Sequence, residues 1–182
     1  MNNIIAADLY RYGALSGTKG FLKGMMIPGF RYTFFYRKAA QSSRYSVPGI
    51  ISRLFLRRYQ YKYGFQIPVA TKIGEGFYIG HFGTVVINPN VKIGKYCNIA
   101  HGVTIGQANK GERRGCPIIG DKVWIGTNAV LVGNITIGSN VLIVPNAYVN
   151  FDVPDNSIVI GNPAKIIAKE NPVENYICYI KE

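Results

Sequence analysis

The sequence predicts a mainly β protein built as a parallel β-helix, and three observations point there. Aliphatic residues recur every six positions: Ile73, Ile79 and Val85, then Ile93, Ile99 and Ile105, then Ile119, Ile125, Leu131, Ile137, Ile143 and Val149. Glycine follows many of them, as in Ile73-Gly74, Ile93-Gly94, Ile119-Gly120 and Ile137-Gly138. Small or apolar residues precede them by two places, at Val91, Cys97, Val103, Val123, Ala129, Ile135, Val141 and Ala147. A hexapeptide period of this kind closes triangular coils that stack about 4.8 Å apart. The branched side chains suit a pleated inner wall, and the Gly, Asn and Asp residues after them suit turns needing positive φ. An ordinary sandwich of irregular strands leaves one fixed spacing unexplained.

In chain order, residues 1–66 form a basic, aromatic, helical N-terminal region. A short helix comes first, then a segment interrupted by Gly13, Gly17, Gly20 and Gly24, with a break at Pro28-Gly29. Phe30–Ser43 reads as a helix, and Pro48 opens another that carries Arg53, Arg57 and Arg58 between apolar residues and stops at Gly64. Residues 67–160 form the β-helix with a protruding loop at 107–116, and residues 161–182 form a turn and a helical or irregular tail. Two extra residues lie within 80–92, because Ile79 and Ile93 are 14 apart rather than 12. Eight more leave the coil between Ile105 and Ile119 as a polar, Gly-rich loop, QANKGERRGC, of the kind that carries function on a rigid scaffold.

Composition narrows the partners. The net charge is +12, and more than half of the 21 Lys and Arg fall in residues 1–72 against one acid, Asp8. Nucleic-acid motifs are absent, so a polyanionic ligand or an anionic membrane surface fits this charge better. Arg-, Tyr- and Phe-rich helices suit the interface of an anionic bilayer; packing on the first coil or on a neighbouring subunit is the other reading. There is no run of about 20 apolar residues to span a membrane. The N-terminus, interrupted by Asp8 and Arg11, does not read as a leader. Three cysteines without metal-like spacing (Cys97, Cys116, Cys178) suggest reduced thiols and a cytoplasmic protein, at most peripheral at the inner membrane face.

His81 and His101 are the two histidines of the chain, in Ile79-Gly80-His81 and Ile99-Ala100-His101. They are 20 residues apart, one coil plus the two-residue insertion, so counting places them at one corner of consecutive coils. An imidazole can take a proton from a hydroxyl near neutral pH, and either histidine is a candidate base. A zinc site of the gamma-type carbonic anhydrase kind needs a third ligand, and none is evident, so no metal is expected.

The segments IGEGFYIGHFGTVVINPNVKIG, GDKVWIGTNAVLVGNITIG and VPDNSIVIGNPAKII resemble the left-handed β-helix acyltransferases, in the branch of serine acetyltransferases and bacterial polysaccharide O-acetyltransferases. The resemblance runs from about Ile67 to Lys169. It implies a homotrimer with sites between prisms, acetyl-CoA as co-substrate without a permanent cofactor, and His81 as catalytic base with His101 beside it. It further implies coenzyme A contacts at Thr127, Pro145, Asn150, Phe151 and Lys165, with Lys169 near phosphate. Two features depart from the serine enzymes. An acid precedes their catalytic histidine where this chain has Gly80, and Asp-Arg-His precedes the loop proline where it has Arg114, Gly115 and Cys116 before Pro117. Galactoside-type relatives carry their histidine in the loop, which here has none. The expected function is therefore O-acetylation of a sugar in capsule, exopolysaccharide or lipopolysaccharide assembly. Serine O-acetylation and a non-catalytic binding prism are the alternatives.

Overall fold

The computed structural model describes residues 3–181; residues 1, 2 and 182, at the outer ends of the expected N-terminal region and tail, lie outside the described residues. Four helices precede the repeats: α1 (Asn3–Tyr10), α2 (Gly17–Met26), α3 (Pro28–Gln41) and α4 (Val47–Tyr63). Proline stands in the first turn of α3 and α4, where a missing N–H costs nothing. Gly64 adopts φ 77° to end α4 and donates its N–H to the Gln60 carbonyl. Within the glycine-interrupted stretch, residues 17–26 form a helix, and its inner glycines, Gly20 and Gly24, are buried contact points. A Cβ at Gly24 would lie 2.4 Å from Leu9 Cδ1 and 2.9 Å from Phe30.

From Phe65 onward each coil lays one short strand on each of three faces. The first face holds β1 (Phe65–Gln66), β4 (Val85–Ile87), β7 (Thr104–Gly106), β10 (Val130–Val132) and β13 (Tyr148–Val149). The second holds β2 (Lys72–Ile73), β5 (Lys92–Ile93), β8 (Ile118–Ile119) and β11 (Thr136–Ile137). The third holds β3 (Tyr78–Ile79), β6 (Asn98–Ile99), β9 (Val123–Ile125), β12 (Val141–Ile143) and β14 (Ser157–Ile160). These ladders are parallel, and the periodic aliphatics meet in register inside the prism: Ile73 with Ile93, Ile79 with Ile99, Ile125 with Ile143. Ile79, Ile105, Ile125, Leu131, Ile137, Ile143 and Val149 are fully buried. Each such side chain contributes about 1.5–3 kcal/mol relative to exposure.

Three sequence expectations change. Ile87, not Val85, is the partner of Ile105, which moves Val85 into line with Val103. The two extra residues therefore fall between Ile79 and Val85, in the stretch that carries His81. The glycines after the aliphatics do not take the positive φ; that conformation falls two places later, at Gly76, Tyr96, Lys122 and Asn140. What those glycines provide is clearance between coils, since a Cβ at Gly94 would lie 2.4 Å from the Gly120 carbonyl oxygen. The tail, expected to be helical or irregular, opens with β15 (Lys165–Ala168), antiparallel to β14. Its end returns over the third face, where Val173 and Ile177 pack with Leu142 and Trp124.

A solenoid has an open end, and the backbone groups of its first coil have no coil above them. The helices supply the missing partners. The Tyr32 hydroxyl donates to the Ile67 carbonyl (3.0 Å) and Tyr36 to that of Thr71. Arg37 donates to the Ile73 and Gly74 carbonyls, and Arg11 to Gly76 (2.8 Å), to Cys178 (2.8 Å) and to Asn98 Oδ1 (2.7 Å). The Tyr12 hydroxyl serves both the N–H and the carbonyl of Ile79, each at 3.2 Å. Asp8 pairs with Arg37 at 2.8 Å and accepts the Phe77 N–H at 2.9 Å. Much of what reads as solvated charge is thus buried structure at Arg11 and Arg37, which are 4 % exposed. Arg37→Met leaves Asp8 buried without its counter-charge, so unfolding in urea should lose about 3–5 kcal/mol. A loss under about 1 kcal/mol would mean the first coil is held by apolar contact alone.

Candidate active site

His81 follows β3 and His101 follows β6, so both stand at the corner where the chain passes from the third face to the first. The register Ile79↔Ile99 aligns them, and their rings meet edge to face with centroids 5.9 Å apart. Both side chains are exposed. The two-residue insertion sits beside them as Phe82-Gly83. Gly83, at φ 138°, folds so closely that a Cβ there would lie 3.1 Å from His101 Cβ. The Thr84 carbonyl then accepts the Gly102 N–H at 2.6 Å, which ties the bend to the coil beneath.

Following the register downward extends this corner. Thr127 stands two residues after Ile125, and Pro145 two after Ile143, as the histidines do after Ile79 and Ile99. His81, His101, Thr127 and Pro145 therefore form one column, roughly 14 Å long at about 4.8 Å per coil. Backbone bonds join its steps: the Asn128 N–H donates to the His101 carbonyl (3.1 Å), and the Asn146 N–H to that of Thr127 (2.9 Å). Gly161 continues the column after Val159, and exposed Lys165 lies just beyond, opposite Ile160 across the last turn. The structure thus brings five of the seven candidate residues along one edge.

Asn150 and Phe151 stand apart. They follow β13 at the opposite edge of the first face, where Phe151 is partly buried against the core. The eight-residue excursion leaves the prism at that same edge. It is an arm closed by an antiparallel bridge between Ala108 and Gly115 (3.0 and 3.1 Å). Arg113 ties it to the prism through Asp152 Oδ2 at 3.0 Å, and its carbonyl accepts the Asn134 N–H at 2.8 Å. Between arm and first face lies an open groove of about 420 Å³, lined in part by Lys110, Arg113, Val132, Tyr148 and Asn150. The Thr136 N–H and then Arg113 hold the Asp152 carboxyl below its usual range. A depressed carboxyl keeps its contribution at neutral pH and loses it as pH falls through the lowered value, so the tether is charged in all but strong acid.

Cys97 and Cys116 are poorly placed to act as nucleophiles. Burial pushes Cys97 up to about 12, and burial also raises Cys116. A reactive thiolate needs the opposite shift. Among the described residues, no group of three or more His, Cys, Asp and Glu is placed to hold a metal ion. The sequence reading did not identify the bend at Phe82-Gly83 or the Arg113–Asp152 tether. The first was hidden by assigning Val85 to the wrong inward position; the second pairs residues 39 apart with no periodic signal.

Stacked coils, a histidine corner and a side arm define a hexapeptide-repeat protein. The family model "Bacterial transferase hexapeptide (six repeats)" matches residues 70–107 and 116–150, leaving out most of the arm. The chain is 33% identical over 148 residues to the serine acetyltransferase of Helicobacter pylori, a match spanning 80% of this chain and 85% of that protein. It belongs to the hexapeptide-repeat family that contains the serine acetyltransferases. Other relatives match over shorter shares of their length. Serine acetyltransferase 2 of Arabidopsis thaliana is 40% identical over 107 residues, 58% of this chain and 32% of that protein. The putative colanic acid biosynthesis acetyltransferase WcaB of Escherichia coli K12 is 43% identical over 105 residues, 57% and 64%. This chain thus spans only about a third to just under two thirds of several of these relatives. In structure it superimposes on Neisseria gonorrhoeae serine acetyltransferase in complex with serine at TM-score 0.72, with 31% identity over 91% of this chain and 68% of that one. The Brucella abortus serine acetyltransferase in complex with coenzyme A gives 0.74, with 26% identity over 92% and 67%.

Asp152→Asn removes the charge that holds Arg113 while leaving an oxygen for the Thr136 N–H. Trypsin at neutral pH should then cut the arm, at Lys110 or Arg114, several-fold faster than in the parent protein. Equal rates would assign the arm's order to the Ala108–Gly115 bridge alone.

Proposed function

We propose that this chain is an acetyl-CoA-dependent O-acetyltransferase acting on a sugar hydroxyl. The observation that carries the reading is the single column His81–His101–Thr127–Pro145, a candidate base pair in line with candidate coenzyme A contacts. His81 takes the proton of the acceptor hydroxyl as that oxygen attacks the thioester carbonyl; the proton then passes to the departing thiolate. His101, at 5.9 Å, orients the acceptor or shares the proton. A backbone amide at the Thr127 corner stabilises the tetrahedral oxyanion, the role that fixed N–H donors play in acyl transfer. The pantetheine arm follows the column toward Pro145, and Lys165 meets phosphate. Asn150, Phe151 and the arm lie one face away. They reach the same site only when a neighbouring prism brings that edge against the histidine corner, as a homotrimer would.

Two features favour a sugar over an amino acid. Gly80 places no carboxylate beside His81, and Arg114-Gly115-Cys116 offers no Asp-Arg-His set. The relationship to a protein named for colanic acid biosynthesis points the same way. Serine is the second reading, favoured by the near full-length relationship to the Helicobacter pylori enzyme and by the serine-bound structural relative.

Purified protein incubated with acetyl-CoA and a panel of serine, sugars, nucleotide sugars and oligosaccharides, read by mass spectrometry, decides between them. Acetylation of a sugar is expected, falling about 10²- to 10⁴-fold in His81→Ala with oligomeric state retained. Transfer to serine alone would establish the second reading, and turnover undiminished in both His81→Ala and His101→Ala would remove the histidines from the chemistry. Cys116→Ala should leave turnover unchanged, since no covalent enzyme intermediate is involved.

A further inference from the structure

The outward face of α4 is not the polar face a solvent-exposed helix presents. Its inward face buries Gly49, Ser52, Leu56 and Tyr63. On the opposite side Val47 is 70% exposed, Ile50 47%, Ile51 47%, Leu54 64% and Tyr61 79%. At 3.6 residues per turn these five fall within an arc of about 100°. Arg58 lies inside that arc, with Arg57 on one flank and Lys62 on the other, all exposed. α2 repeats the pattern on a smaller scale: Leu22 (64%) and Met26 (76%) stand beside exposed Lys19 and Lys23.

Charge selects among occupants for this surface. Between Asp8 and Glu75 the chain contains no acid, and Asp8 is buried against Arg37. A second copy docking through the same face would bring Arg57, Arg58 and Lys62 against their own like, with no carboxylate on these helices to receive them. An anionic bilayer satisfies both halves of the pattern: apolar side chains enter the boundary between headgroups and acyl chains, and guanidinium and ammonium groups meet lipid phosphates. Tyr61, apolar in body and polar at the tip, sits at one end of the stripe as an interfacial residue does. No described helix is long and apolar enough to cross a membrane, so any contact through these helices is peripheral.

We infer that the exposed face of α4, assisted by α2, docks this protein on anionic lipid. This surface shares no residue with the histidine column and does not depend on the reaction proposed for it.

The test is flotation of the full chain with vesicles of phosphatidylcholine alone or mixed with phosphatidylglycerol. Binding to the mixed vesicles is expected, with little to the neutral ones. It should weaken as salt rises from about 0.1 M to 1 M, because the screening length falls from about 10 Å to 3 Å. Replacing Arg57 and Arg58 together by Ala should weaken partition roughly 30-fold, about fivefold for each basic residue at the surface. Leu54→Glu should abolish it. Circular dichroism and sedimentation velocity on each variant check fold and assembly. These positions are exposed, and the double arginine variant carries the test if Leu54→Glu does not fold. Absence of binding to either vesicle, or equal binding to both, overturns the proposal. If Leu54→Glu instead splits an oligomer while vesicle binding is absent, the face is a contact between subunits.

Discussion

The prism depends on how its first coil is closed. Every later coil receives its backbone hydrogen bonds from the coil above, but the first receives none, and exposed strand edges are where such stacks fray or join other chains. Here the edge is covered by side chains rather than by another strand. Tyr12, Tyr32, Tyr36, Arg11 and Arg37 reach the carbonyls of residues 67–79, and Asp8 both takes the Phe77 N–H and balances Arg37. The same contacts lie directly behind the histidine corner, since Tyr12 bonds to both polar groups of Ile79, two residues before His81. The helical cap therefore fixes the backbone from which the candidate base projects.

A repeating backbone also explains how a site arises without a deep cavity. Each coil offers the same corner, so a residue two places after an inward aliphatic always projects at the same edge. Occupying that position with His81, His101, Thr127 and Pro145 writes a column of different chemistry along one side of the prism. The arm stands across the first face from this column, with the basic residues Lys110 and Arg113 beside Tyr148 and Asn150. In the proposed function these two edges are the two halves of a cleft that assembly around a symmetry axis would bring together. The basic cap adds a third surface, apolar and cationic, on α4 and α2.

Much of this was legible in the sequence because the solenoid is nearly one-dimensional: register follows from counting, and counting needs no contacts. The six-residue period gave the inward residues, and the 20-residue spacing placed His81 over His101. The eight-residue surplus located the arm. Counting failed where the period was broken. With two extra residues after Ile79, both Val85 and Ile87 fit an inward position, and only the pairing of Ile87 with Ile105 resolves the choice. It failed again for the glycines, whose local signal suggested backbone conformation while their actual constraint is the approach of Gly94 to Gly120, one coil away.

By itself, then, the sequence determined the period, the coil and the alignment of the histidines, because each rests on spacing along the chain; the family followed from the resemblance of its repeat segments. Tertiary structure alone decided which charges are structural and which are displayed. Arg11, Arg37 and Arg58 are equivalent in sequence terms, each a cation in a helical, aromatic neighbourhood. Arg11 and Arg37 are buried because the first coil exposes carbonyls that need donors, whereas Arg58 faces outward among apolar residues because no coil lies on its side of α4. Burial of a charge depends on what it meets across the fold, and no local pattern records that.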